Sequence, residues 1–184
     1  LRAAPGDFEI TIGDGLVSGV GGEHYRLIGS APGVEYDLTL VLAGAEPAAS
    51  ALLHDDDGLV DFGEAGVTYY YSQPRLELTG TLTTADGRHT VTGLAWMDKQ
   101  WGDFQPVAVF WDWASLQLGD GTDLMLTNLT DANGDVIDVY ATLRRPGADV
   151  RRLSATEFMF EPLADEWVSE TTGTAYRTRW RVEV

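Results

Sequence analysis

Apolar and polar residues alternate with a period of two along most of this chain, and this pattern restricts it to β-structure. Phe8, Ile10 and Ile12 are separated by single polar residues, and apolar residues recur in the same way from Val34 to Leu42. Side chains two positions apart on a strand point to the same face of a sheet, so each segment is predicted to be a strand with one buried face. The chain is therefore predicted to be all-β.

The alternation is clearest at the end of the chain. There the side chains predicted to face inward are Tyr176, Thr178, Trp180, Val182 and Val184, and the charged residues between them are predicted to face water. Further strands are predicted at about 23–29, 67–73, 75–83, 89–98, 106–118, 122–130, 135–144 and 156–161. No convincing helix is present, and residues 47–53 are predicted to form at most one or two helical turns.

Glycine-containing dipeptides separate the predicted strands. They are Asp14-Gly15, Asp57-Gly58, Asp86-Gly87, Asp120-Gly121, Asn133-Gly134 and Pro146-Gly147. Asp-Gly and Asn-Gly supply the positive φ angles that tight hairpins require. From residue 75 onward the spacing predicts a meander of antiparallel hairpins. A meander with one buried face closes most easily into a barrel, and about eight strands enclose one small apolar ligand. A β-sandwich is the alternative.

Composition excludes several classes of function. With no cysteine, the chain has no disulfide, thiolate nucleophile or cysteine-bound metal. A formal net charge of -17 argues against nucleic acid and anionic membranes as partners, because both repel such a surface. No apolar run is long enough to insert into a bilayer, so a soluble protein is predicted. Eleven arginines against a single lysine, Lys99, suggest a bacterial source, and the cytoplasm is favoured over secretion.

Metal-dependent and serine-dependent catalysis are not predicted. His24, His54 and His89 lie at unrelated spacings, so they do not indicate a metal site. No serine lies in the G-x-S-x-G pattern of a nucleophile elbow, and Ser72 and Ser115 have no base that the sequence identifies.

Four of the six tryptophans lie in two neighbouring segments, 92–102 and 110–118. Both segments are apolar on both faces, which is typical of a strand that is covered on each side or faces a ligand cavity. Alternation places Leu94, Trp96 and Asp98 on one face of the first segment. In the second segment it separates two sets, Trp111, Trp113, Ser115 and Gln117 on one face and Phe110, Asp112, Ala114 and Leu116 on the other.

Asp98 and Asp112 are candidates for acid catalysis. A carboxylate on an apolar face is costly unless it is hydrogen-bonded, paired or protonated. Desolvation raises the pKa of such a group and makes it a potential general acid. The alternative is structural, with either carboxylate tying down a turn or pairing with Lys99 or an arginine. The tryptophans, in the same way, are either core residues or the walls of a ligand site.

The segment from Tyr69 to Leu118 resembles the central signature of the carotenoid 1,2-hydratase/AttH superfamily. The resemblance is carried by Tyr69-Tyr70-Tyr71-Ser72-Gln73-Pro74-Arg75-Leu76, Gly80, Val91-Thr92-Gly93, Trp96-Met97-Asp98, Gln100-Trp101-Gly102, Trp111-Asp112-Trp113 and Ser115-Leu116-Gln117-Leu118. It implies two antiparallel, lipocalin- or calycin-like β-barrel modules side by side, with a lipophilic pocket. The implied activities are polyene hydration, hydrolysis by secreted enzymes, and pericyclic ring closure of natural-product polyenes.

Two departures from the superfamily pattern affect what the resemblance implies. Its chains are usually about twice as long, which implies that residues 1–73 are the end of a first module and residues 74–184 a lipocalin-like barrel. An upstream module or a second chain would then be a partner. The hydratases carry a histidine after the aspartate that matches Asp98, whereas this chain has Lys99, which favours ring closure over water addition.

Together, the residues and the resemblance predict an enzyme that binds a small lipophilic polyene, polyketide or terpenoid in a β-barrel pocket. It would promote cyclisation or hydration without a cofactor, by templating and by acid catalysis from Asp98 or Asp112. The predicted substrate-binding residues are Tyr71, Trp96, Trp101, Trp111, Trp113 and Gln117. A non-catalytic, lipocalin-type binder of a hydrophobic ligand is the alternative, and a structural half-domain is a third hypothesis.

Overall fold

The computed structural model describes residues 2–4, 7–42, 51–105 and 109–184, and in these residues the chain is mainly strand, with turns between the strands. The strands are β1 (Arg2–Ala4), β2 (Asp7–Ile12), β3 (Gly15–Val20), β4 (His24–Ala31), β5 (Val34–Leu42), β6 (Leu52–Leu53), β7 (Leu59–Asp61), β8 (Gly66–Thr84), β9 (Gly87–Phe104), β10 (Val109–Gln117), β11 (Asp123–Asp131), β12 (Val136–Arg144), β13 (Arg151–Ser154), β14 (Met159–Pro162), β15 (Glu166–Val168), β16 (Ala175–Arg177) and β17 (Trp180–Glu183). The described ranges contain one helical turn, the 3-10 turn Gly63–Ala65, and no helix that could span a membrane.

Antiparallel pairing connects the strands into four sheets. Strands β1 to β9 form one sheet in the order β1-β2-β3-β4-β5-β8-β6, with β7 and β9 also paired to β8. Strands β10 to β13 form a second sheet in chain order, and β14–β17 and β15–β16 form two small ones. The predicted meander is therefore present in β8–β9 and again in β10–β13.

The chain divides into two compact units. The first comprises Leu1–Ala51 and Ser72–Asp98, and the second comprises Leu52–Tyr71 and Lys99–Val184. Strands β8 and β9 contribute residues to both units. The division into modules 1–73 and 74–184 stays a prediction, and β8 runs across residue 73 without a break.

One face of the large sheet forms the core of the first unit. Tyr25, Leu40, Leu42 and Leu76 are buried there, and Tyr25 pairs with Leu40 and Leu42 with Leu76 in the register of neighbouring strands. The alternation predicted from Val34 to Leu42 is confirmed by this packing.

The predicted buried face of β2 is only partly buried. Phe8 packs against the core of the first unit, but Ile10 and Ile12 are exposed. Ile12 lies opposite Gly15 in the β2–β3 register, so it has no side chain facing it across the pair. Strand β2 contains all three residues, as predicted, but the face that they share is not covered at Ile10 and Ile12.

Alternation changes phase within β8, at Arg75. The amide oxygen of Gln73 accepts a hydrogen bond from the Tyr25 hydroxyl at 2.6 Å, and Leu76 packs into the same core cluster as Tyr25. Positions 73 and 76 cannot both reach one face of a regular strand, because alternate residues point to opposite faces. Arg75 has a φ of 60°, the left-handed conformation typical of a β-bulge, and Pro74 beside it has no N–H to donate to a ladder.

The core of the second unit lies on one face of the β10–β13 sheet. Its buried members are Leu124, Leu126, Ala141, Leu143, Leu153, Phe158 and Phe160. Ala114, Leu116 and Trp180 pack against this cluster and are partly buried.

The end of the chain differs from the single strand that the sequence predicts. Residues 175–177 form β16, residues 180–183 form β17, and the two strands pair with different partners, β15 and β14. Trp180 stacks on Phe160 at 4.4 Å, whereas Tyr176, Val182 and Val184 are exposed. Because two-stranded sheets bury little on their own, the expected inward face is confirmed only at Trp180.

The turns follow the predicted dipeptides with one shift. Positive φ angles occur at Gly58, Gly87, Gly121, Gly134 and Gly147. In the β2–β3 turn the positive φ, 62°, is at Gly13, because Gly15 already begins β3.

In the predicted helical segment 47–53, residues 52–53 form β6 and residues 47–50 lie outside the described residues. Residues 106–108 of the predicted strand 106–118 also lie outside them.

Candidate functional site

In the first unit, Asp98 is held by two side-chain donors through a single oxygen. The indole N–H of Trp96 donates to Oδ1 at 2.7 Å, and the hydroxyl of Ser72 donates to the same atom. Met97 packs against the core of the first unit, so Trp96 and Asp98, which alternate with it, lie on the opposite face of β9. The prediction that Trp96 and Asp98 share a face is confirmed.

The orientation of Asp98 is set by these hydrogen bonds rather than by burial. Asp98 is an exposed residue, so the expectation of a desolvated carboxylate on an apolar face is wrong here. Ser72 is fully buried, so the hydroxyl that it donates to Asp98 is held in one position. The sequence does not reveal this role of Ser72, because its partner lies 26 residues away on another strand.

In the second unit, three aromatic side chains cluster where β8 and β9 pair. The ring of Tyr69 stacks on Trp101 at 5.5 Å with an angle of 23°. Tyr71 contacts Trp101 edge-on at 5.9 Å and 86°. Burial raises the pKa of the Tyr71 hydroxyl. The structure thus brings together two predicted substrate-binding residues, Tyr71 and Trp101, and adds Tyr69.

Strand β10 has the two faces that its alternation predicts. Ala114 and Leu116 pack on the core of the second unit. On the other face, the Trp113 indole donates to the Tyr70 hydroxyl at 2.8 Å. Trp111 alternates in step with Trp113 and is exposed. Trp113 is therefore anchored by a hydrogen bond, whereas Trp111 presents its ring to the surface.

Asp112 lies on the Ala114 face of β10, opposite Asn128 of β11. It is classed as an exposed residue. Partial burial nevertheless raises the pKa of Asp112, against the opposing effect of the positive charge of Arg177. Asp112 therefore retains a proton to higher pH than an ordinary aspartate, as a general acid requires.

Gln117, the last residue of β10, lies beside a buried ion pair. It faces Asp123 in the register of β10 and β11. Asp123 is fully buried and accepts a hydrogen bond from the Arg144 guanidinium at 2.6 Å. Gln117 thus borders a structural element that secures the end of the β10–β12 meander.

A buried histidine lies next to the Tyr70–Trp113 pair in the second unit. The His54 ring packs against Tyr70 at 4.1 Å with an angle of 38° between the rings, and its Nδ1 lies 2.8 Å from the Thr142 hydroxyl. Burial lowers the pKa of His54 to about 3. The imidazole is therefore neutral near pH 7 and acts as a packed, hydrogen-bonded core group.

The predicted site residues divide between the two units. Trp96 and Asp98 belong to the first unit, and the remaining six belong to the second: Tyr71, Trp101, Trp111, Asp112, Trp113 and Gln117.

A cavity of about 340 Å³ in the first unit is lined by Tyr36 and Arg88 among others. One of about 520 Å³ in the second is lined by Phe62 and Ile137 among others. Neither is lined by a predicted site residue. In the described ranges no group of three or more His, Asp or Glu residues could hold a metal ion.

The antiparallel sheets and their one-sided cores define an all-β protein of the lipocalin-like class. The chain belongs to the AttH-like family, whose model matches residues 1–184. The predicted all-β, lipocalin-like fold and the resemblance to AttH proteins are thereby confirmed.

Two solved structures are similar to the chain. An AttH protein from Nitrosomonas europaea is 26% identical with a TM-score of 0.79, over 95% of this chain and 54% of that one. Kievitone hydratase from Nectria haematococca is 18% identical with a TM-score of 0.78, over 96% of this chain and 54% of that one. The chain thus spans about half the length of each. No protein of curated function matches the sequence significantly.

Proposed function

We propose that this chain supplies a catalytic carboxyl group and aromatic walls to a cofactor-independent enzyme that acts on a lipophilic unsaturated molecule. Polyenes, terpenoids and polyketides are the substrate classes that suit an aromatic surface beside a proton donor. The observation that carries the proposal is the geometry of Asp98, whose Oδ1 accepts from Trp96 and Ser72. Such fixed orientation is what catalysis by a single side chain requires.

Water addition is the reaction that this geometry supports best. A protonated carboxyl transfers its proton to one carbon of a double bond, and a carbocation forms at the other carbon. Water then adds to the cation, and the proton it loses returns to the carboxylate. An indole held against the carboxylate, as Trp96 is, stabilises positive charge through its π-face. Kievitone hydratase has a similar fold, and this similarity is a second reason to put water addition first.

Ring closure is the second candidate, and Lys99 favours it. A lysine stands where a histidine follows the aspartate in hydratases that the sequence resembles. Burial lowers the pKa of Lys99. Without that histidine the sequence gives less support to water addition, so a concerted closure without a full carbocation is the alternative reaction.

Asp112 is the alternative proton donor. Its pKa is raised by partial burial, which makes its protonated form more abundant at neutral pH than that of an ordinary aspartate. Phe110, two positions earlier on the same face, is exposed and would offer an apolar contact. If Asp112 were the acid, catalysis would be centred on the second unit.

A non-catalytic binder of a hydrophobic ligand needs the aromatic side chains but neither carboxyl. The exposed rings of Trp101 and Trp111 support this alternative. The discriminating experiment incubates the full chain and the variants Asp98→Asn and Asp112→Asn with linear polyenes, terpenoids and polyketides in isotopically labelled water.

The products separate the three hypotheses. Water addition incorporates oxygen and hydrogen from the solvent, whereas ring closure gives an isomer without solvent oxygen. General acid catalysis contributes about 10²–10⁴-fold, so one Asn variant should lose most of its turnover while still binding. Binding without turnover by the unsubstituted chain would support the binder, and full turnover by both variants would refute carboxyl catalysis.

We also propose that a second β-module, either upstream in the same protein or in a second chain, completes the ligand site. The support is that about half of each matched structure has no counterpart in this chain. Analytical ultracentrifugation tests the second-chain form of this proposal. A monomer that binds ligand with full affinity would contradict both forms.

A further inference from the structure

Two aromatic rings in the second unit are held rigidly in place yet remain open to solvent. Tyr69 and Trp101 stack at 5.5 Å while 51% and 52% of their surfaces are exposed. Exposed, contiguous aromatic surface is costly in water and is typical of binding sites. We call this pair, with the edge-on ring of Tyr71, the aromatic platform.

The backbone beneath the platform has little freedom to move. The Thr68 hydroxyl donates to the backbone oxygen of Trp101 at 3.0 Å. The strands approach so closely that a Cβ added to Gly102 would lie 2.4 Å from the backbone oxygen of Val67. The platform is therefore preorganised, and ring stacking by a ligand would not require ordering of these strands.

A single positive charge lies on the same face as the platform. Lys99 and Trp101 are two positions apart on β9, so their side chains point to the same side of the strand pair. Both Lys99 and Tyr71 are partly buried, which lowers the pKa of Lys99 and raises the pKa of Tyr71. Lys99 is the only lysine in a chain with a net charge of -17.

We propose that the aromatic platform binds a planar, conjugated small molecule that carries one acidic group, with its ring system on Tyr69 and Trp101 and the acidic group at Lys99. Aromatic stacking selects a flat π-system over a saturated one of equal size. The lysine selects a carboxylate or phenolate over a neutral or cationic ligand. The inference rests on the lipophilic ligand of the proposed function and narrows its class, but it does not depend on catalysis.

The test uses naphthalene carboxylate as the probe, with naphthalene carboxamide and decalin carboxylate as comparison ligands. Binding to the full chain is followed by calorimetry and by the indole N–H signals in proton–nitrogen NMR spectra, where Trp101→Phe assigns the signal of Trp101. We expect the carboxylate to bind and to shift that signal. The amide should bind about fivefold more weakly because it lacks the charge, and decalin carboxylate about tenfold more weakly because it cannot stack.

Protein variants supply the matched controls. Trp101→Ala should weaken binding of the probe about tenfold, and Lys99→Gln should weaken the carboxylate but not the amide. Trp167→Ala is the control, because Trp167 is 56% exposed and packs against Tyr176 at 5.6 Å, but has no neighbouring lysine. That variant should bind the probe as the unsubstituted chain does. Asp98→Asn should also bind normally, so that loss of turnover in this variant concerns the proposed catalysis and not the platform.

Three outcomes would overturn the proposal. One is equal binding of naphthalene and decalin carboxylates, which would remove stacking as the basis of recognition. Another is an equal loss in Trp101→Ala and Trp167→Ala, which would show non-specific adsorption. The third is a Trp101 signal that shifts with protein concentration and not with the probe, which would show that a second copy of the chain covers the platform.

Discussion

The Trp113 indole donates a 2.8 Å hydrogen bond to the hydroxyl of Tyr70, which lies 43 residues earlier in the chain. The bond joins β10 to β8 within the second unit and orients a tryptophan that the sequence marks as substrate-binding. Tyr70 is buried and also packs against His54, so the position of Trp113 depends on a packed core group.

A double-mutant cycle measures this bond. Tyr70→Phe and Trp113→Phe each remove one partner, and the double variant removes both. We expect a coupling free energy of about 0.5–1.5 kcal/mol in chemical denaturation, the usual contribution of a neutral hydrogen bond. Strictly additive effects would show that the bond does not form in solution.

Two glycines on β9 provide a matched pair for testing strand packing. Gly102→Ala places a methyl group 2.4 Å from the Val67 backbone oxygen and 2.6 Å from the Thr68 Cα, whereas a Cβ at Gly93 meets nothing within 4 Å. We expect Gly102→Ala to destabilise the fold by about 1–3 kcal/mol through overpacking. Gly93→Ala should change stability by less than about 0.5 kcal/mol. Similar melting temperatures for the two variants would contradict the close strand contact.

The two-stranded β14–β17 sheet relies on one aromatic contact. Trp180 stacks on Phe160 at 4.4 Å and is partly buried, so Trp180→Ala should cost about 2–3 kcal/mol, less than a fully buried tryptophan. Arg179 forms an exposed ion pair with Asp165, and Arg179→Ala should cost under about 0.5 kcal/mol. Equal losses of unfolding free energy at both positions would show that β17 does not anchor through Trp180.

His54 predicts how stability depends on pH. Its pKa is lowered by burial from 6.5 to about 3, so the unfolded chain binds a proton between these values and the folded chain does not. Stability from this group is therefore full above about pH 6.5 and falls as the pH is lowered toward 3, with a slope of at most about 1.4 kcal/mol per pH unit.

The matched variant is His54→Gln, which keeps a hydrogen-bonding group near Thr142 but does not titrate. Its unfolding free energy should fall less steeply than that of the unsubstituted chain between pH 6.5 and 3, as followed by urea titrations. Parallel pH profiles would mean that His54 is protonated in the folded state.

Strand positions were predictable from the sequence wherever one face is buried by a neighbour within the same unit. Val34 to Leu42 follows its alternation because the core of the first unit covers one face of β5. Ile10 and Ile12 show the same pattern and are exposed, since alternation records which residues suit a buried face and not whether that face is covered.

The candidate site was predictable only in part. Trp96 and Asp98 are two positions apart, so their hydrogen bond follows from the strand period. Ser72 and Tyr70 contact the predicted residues across strands, and the register that brings them there depends on pairings between distant segments. The change of face at Arg75 also escapes a period-two pattern, because it is a property of a single backbone angle.

Arg75 makes the number of residues in β8 matter as much as their identity. Loss of the bulge without a change in length would restore uninterrupted alternation after Gln73, and every later side chain of β8 would then point to the opposite face of the sheet. A Gly or Asn at position 75 would preserve the bulge, because both tolerate a φ of 60°. In related sequences this short stretch should therefore accept Gly or Asn at position 75 but resist single-residue insertions, which would turn the later side chains of β8 to the opposite face.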